Sequence, residues 1–143
     1  MKSKFSKIAK VRKQKRDAIE RELIKSQNKE KLLQHKIASL YEEIVSMQTP
    51  QNGTISLLSL LNEQKRILNR DKKEHEYALH VTHENSQKLQ IEYKKAHLEF
   101  EKINYLEEQE IQAFINKMRK QEQLDLDEIS TMLFANDMRK KGE

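Results

Sequence analysis

Cysteine is absent from the 143 residues, so no disulfide framework and no cysteine-based zinc site can form, and a reducing compartment such as the cytoplasm is the default expectation. Tryptophan is absent too, aromatics reach 6% and apolar residues 36%, against about 45 to 50% in an ordinary globule. A large buried core is therefore excluded. The richest apolar run, ISLLSLL from Ile55 to Leu61, is far shorter than the ~20 residues that cross a bilayer. The basic start MKSKFSKIAKVRKQKR lacks the apolar stretch a secretory leader would carry, so neither export nor direct membrane insertion is expected. Glycine and proline are almost missing as well. The single proline, Pro50, stands close to Gly53, one of two glycines, which concentrates the helix breakers in MQTPQNGTIS, Met47 to Ser56. With only Gly53 and Gly142 available, no glycine-rich phosphate loop can form, and the chain is not expected to hydrolyse nucleotide or to be an enzyme.

What is present is charge, 36% of residues, and a four-three spacing of apolar residues that separates a helical chain from a disordered one. Leu33, Ile37, Leu40, Ile44 and Met47 follow this spacing, as a coiled-coil seam requires. Upstream it runs through Phe5, Ile8, Arg12, Lys15 and Ile19, then joins through Leu23, Ser26 and Glu30 after one extra step of four, a stutter. Beyond the breakers an unbroken register runs Leu58, Leu61, Lys65, Leu68, Lys72, His75, Leu79, Thr82, Ser86, Leu89, Tyr93, Ala96, Phe100 and Ile103. The pattern predicts an all-α fold: a single elongated antiparallel two-helix coiled-coil hairpin over 1–143. Helix one is expected at about 3–48, a turn at 49–54 and helix two at about 55–136, with an overhanging C-terminal helical segment.

Pro50 disfavours helix at Thr49, Gly53 and Asn52 suit a turn, and Thr54 or Ser56 can cap the second helix. If Met47 lies opposite Leu58, facing residues have numbers adding to roughly 105. Residues 2 to 16 hold eight Lys or Arg and no acid. That pairing sets them against Leu89 to Ile103, beside the acidic run Glu99, Glu101, Glu107, Glu108 and Glu110. The first helix then ends its reach near Phe100 to Ile103. Leu126, Ile129 and Leu133, with Met132 beside them, are left as an apolar stripe that helix one cannot cover.

Catalytic and metal-binding patterns are incomplete. HEYALH at His75 begins like a zinc-protease helix, but Leu79 stands where the second histidine is needed. His80 and His83 share a helix face without a third ligand, so they are expected as surface residues and no metal or cofactor is expected. His75 falls on the seam, where a polar residue fixes register. Asn52 heads a glycosylation sequon, but the turn reading suits a chain that is not secreted. The first 31 residues carry 12 basic and four acidic side chains, which raises nucleic acid as a partner. Only one aromatic, Phe5, stands in that arm, no reading motif is present, and the acidic stretch of helix two can neutralise the charge, so nucleic acid is not expected.

The start FSKIAKVRKQKRDAIERELIKSQ, the single turn and the tail LDLDEISTMLFANDMRKK together resemble the FliJ family of flagellar type III export proteins. The local signature is Leu126, Asp127 and Glu128 ahead of a basic end at Met138, Arg139, Lys140 and Lys141. The resemblance implies a non-enzymatic cytoplasmic stalk, similar to a rotary-ATPase rotor subunit, that engages a hexameric export ATPase, the cytoplasmic domain of the export gate and export chaperones. It also implies a place at the inner face of the cell membrane, held through the export apparatus. By that analogy Phe5, Ile8, Arg12, Met118, Leu126, Ile129 and Leu133 would contact the ATPase, and Leu61, Leu68 and His75 the gate. A generic coiled-coil scaffold and a stalk of a virulence type III system are the alternatives of the same architecture.

Overall fold

The computed structural model describes residues 3–47 and 53–142. It is all-α, with α1 at Ser6–Ser46 and α2 at Ile55–Lys141, 41 and 87 residues long. Neither helix contains a glycine or proline, so the backbone hydrogen-bond ladder has nothing to interrupt it. α1 starts later than the expected residue 3 because Ser3 to Phe5 form the entry turn: the Phe5 N–H donates to the Ser3 hydroxyl at 3.1 Å and the Ser6 N–H to the Ser3 carbonyl at 3.1 Å. At the start of α2, Thr54 is the cap, its hydroxyl accepting from the Leu57 N–H at 3.3 Å. Thr49, Pro50 and Asn52, expected to form the turn, lie outside the described residues. α2 continues past its expected end near 136, closing where the Gly142 N–H meets the Met138 carbonyl at 3.1 Å.

The chain divides into two compact units, Gln14–His97 and Met1–Lys13 with Leu98–Glu143. In the first, the two helices run antiparallel. The Ser26 and Ser86 hydroxyls are 2.7 Å apart, the Glu30 carboxylate lies 2.8 Å from His83 Nδ1, the Arg16 guanidinium 3.4 Å from His97 Nδ1, and Lys72 Nζ 5.0 Å from the Tyr41 ring centre. Pairs 16 with 97, 30 with 83 and 41 with 72 each add to 113, not to the expected 105. The estimate took the helix ends as level. With a sum of 113, Ser46 at the end of α1 stands level with Ile67, so α2 begins about three turns before that point and Met47 is not level with Leu58.

The α2 seam matches the sequence register at all of its positions from Leu58 to Ile103, each at least half-buried, with Thr82, Ser86, Leu89 and Ala96 deepest. On α1 the register differs. Burial follows 5, 9, 12, 16, 19, 23, 26, 30 and 33 without a stutter, so Ala9 and Arg16 occupy the seam where Ile8 and Lys15 were expected. Ala9 is 6% exposed and Ile8 43%. A methyl side chain lets the helices approach closely, whereas Ile8 is turned to solvent among lysines.

In the second unit the pairing reaches beyond Ile103. The Ser6 hydroxyl donates to Glu107 Oε1 at 3.3 Å, the Ser3 hydroxyl donates to Glu110 Oε2 at 2.8 Å, and Arg12 is ion-paired with Glu99. These pairs replace the expected limit at Phe100 to Ile103. Serine against glutamate carries no apolar signal, which is why spacing alone stops short of it.

Candidate functional site

Past Glu110 the seam ends and a different surface begins. Residues 112–142 are all exposed. Here the helix is held by bonds within itself rather than by packing. Gln112 donates to Asn116, Gln121 to Asp125 and Gln123 to Asp127, each at 3.1 to 3.2 Å and each spanning one turn. Arg139, Lys140 and Lys141 occupy the last turn, where cations complement the helix dipole.

Part of the segment's apolar residues form a row along one side. Ile111, Ile115, Met118, Leu126, Ile129 and Leu133 follow helical spacing, with Glu122 the single polar member of the row. Met118, Leu126, Ile129 and Leu133 are 49%, 59%, 52% and 61% exposed. Ile111, at the start of the row, is half-buried, and from Ile115 onward the large side chains are open to water, as side chains at contact sites commonly are. Met132 flanks the row, whereas Leu124 and Phe134 are exposed on other faces of the helix. Ile111 and Ile115 were missed in the sequence because Glu122 interrupts the row; stepping back from Met118 by three and then by four reaches them.

The other expected site residues fall in two places. Phe5, Ile8 and Arg12 share the second unit with the exposed segment. Phe5 is half-buried with Lys4 Nζ 5.2 Å from its ring centre, Ile8 is exposed, and Arg12 is engaged by Glu99. Leu61, Leu68 and His75 belong to the first unit and are half-buried on the α2 seam, beside the exposed Leu57, Leu60 and Ile67. His80 is exposed and lies 3.1 Å from Glu84, and His83 pairs with Glu30 across the helices. Among the described residues, no helix is long and apolar enough to cross a membrane.

A family model described as flagellar FliJ protein matches residues 1–139. The chain belongs to the FliJ family. Comparison with curated proteins and with solved structures returned no match. Membership in the FliJ family makes this an export-related flagellar protein of a non-enzymatic kind.

Proposed function

We propose that this FliJ-family chain is a cytoplasmic stalk of the flagellar type III export apparatus, and that it engages the hexameric export ATPase through the exposed end of α2. The observation that carries this reading is the row from Met118 to Leu133, left open where α2 outlasts its partner helix. Phe5, Ile8 and Arg12 would add the α1 side of the same contact, with Ile8 the freest of the three. The gate would be met on early α2, where Leu61, Leu68 and His75 present only their edges and the exposed Leu57, Leu60 and Ile67 supply the accessible area. Export chaperones would be handled at the same apparatus, which would hold the chain at the inner face of the membrane.

The test is to change Leu126, Ile129 and Leu133 together to serine and measure capture by the export ATPase. Each buried aliphatic side chain is worth about 1.5 to 3 kcal/mol, so losing even two should weaken binding at least about a hundredfold. Circular dichroism should show the same helicity and melting as the parent. Binding as tight as the parent's would defeat the proposal.

A further inference from the structure

The exposed row on α2 does not continue the seam that α1 covers. Extending the seam beyond Glu110 by its own spacing would reach Phe114, Lys117, Gln121, Leu124 and Glu128, a largely polar set. The apolar row starts instead at Ile111, one residue on, which turns it by about 100° around the helix. It is built for a partner other than α1.

The spacing of that row points to the partner. From Ile111 through Ile115, Met118, Glu122, Leu126 and Ile129 to Leu133 the steps are four, three, four, four, three and four, and they read the same in both directions. A row with this property matches a copy of itself laid antiparallel. Ile111 then meets Leu133, Ile115 meets Ile129, Met118 meets Leu126, and Glu122 meets its own counterpart on the two-fold axis. Every layer is apolar against apolar except the central one. An isologous contact of this kind closes on itself after two chains.

We propose that Ile111 to Leu133 is the interface of an antiparallel dimer of this chain, which covers the row when no other partner holds it. The two Glu122 carboxylates at the axis oppose one another, so they weaken the dimer while fixing its register, as a polar residue in an apolar seam does. The contact is thereby kept weak enough to yield to another occupant.

The full-length chain alone is sufficient for the test, and its lack of cysteine makes single-cysteine variants clean reporters. Under mild oxidation Glu122→Cys should crosslink to itself. Met118→Cys and Leu126→Cys should each crosslink poorly alone and readily when mixed, because only the antiparallel register brings their backbones within disulfide reach. Sedimentation equilibrium should show Glu122→Leu dimerising at least ten times more tightly than the parent. A mixture of Glu122→Lys with the parent should dimerise more tightly than either by itself. Equal crosslinking by all three positions, crosslinking by none, or a Glu122→Leu chain that stays monomeric would each overturn the proposal.

Discussion

Ile8 and Ala9 show how far a single position can mislead. Isoleucine is the more apolar and sits at a seam spacing from Phe5 and Arg12, yet it is Ala9 that is buried and Ile8 that faces water. Ala9 is the one that continues the unbroken row Phe5, Arg12, Arg16 and Ile19, and Ile8 falls one residue off it. Ala9→Glu should therefore lower stability by about 2 kcal/mol, whereas Ile8→Glu should stay within about 0.5 kcal/mol; thermal melts of the two variants decide between the registers. Ser26 and Ser86 form a second informative pair, 7% and 6% exposed and bonded at 2.7 Å, with the Asn85 amide donating to Ser26 at 3.4 Å. Changing either serine to alanine should cost about 1 kcal/mol. The double variant should cost less than the two singles combined, by about 0.5 kcal/mol or more in urea titrations, because the second change removes a bond already lost.

The helices differ in what specifies them. α2 was legible from its spacing alone, since leucine and isoleucine recur often enough between Leu58 and Ile103 to hold the phase through lysine, histidine and serine. In the basic first turns of α1 the spacing placed Phe5, Arg12 and Ile19 on the seam but was one residue off at Ile8 and Lys15, because Arg16 takes a seam position with its charged head met by His97, as Arg12 does with its head met by Glu99. The offset between helices was illegible for another reason: it depends on where each helix ends near the turn, and boundaries are the feature that spacing constrains least. The open row on the end of α2 was legible in the spacing from Leu126 onward, Met118 entered through the family resemblance, and Ile111 and Ile115 were hidden behind Glu122. Thr54 fixes one of those boundaries, and Thr54→Ala should reduce stability by about 1 kcal/mol with fraying confined to the first turn of α2. Amide hydrogen exchange separates the two regimes of α2. Residues around Thr82 to Ala96 should be the best protected, and residues 112–141 should exchange fastest in dilute solution, since only bonds within the helix hold them.

Over the whole molecule, charge is abundant but weakly coupled to stability. The net charge is +5, and the ion pair between Arg12 and Glu99 leaves 39% and 47% of its side chains in water, so its contribution is about 1 kcal/mol or less. Raising salt to about 1 M, where screening acts over only ~3 Å, should shift the melting temperature by no more than about 4 °C. A larger drop would mean that charge pairing, and not the layers of Leu33, Leu89, Ala96 and their neighbours, holds the helices together. Another consequence follows from the absence of any fully buried side chain among the described residues. Each seam position answers only to the layer directly across from it, so a substitution is felt locally and the effects of distant substitutions add. Lineages built on such a plan can exchange most of their letters one at a time, with no compensating change elsewhere. What descends intact is the rhythm of sizes and polarities, and two cousins can keep the same beat while sharing few words.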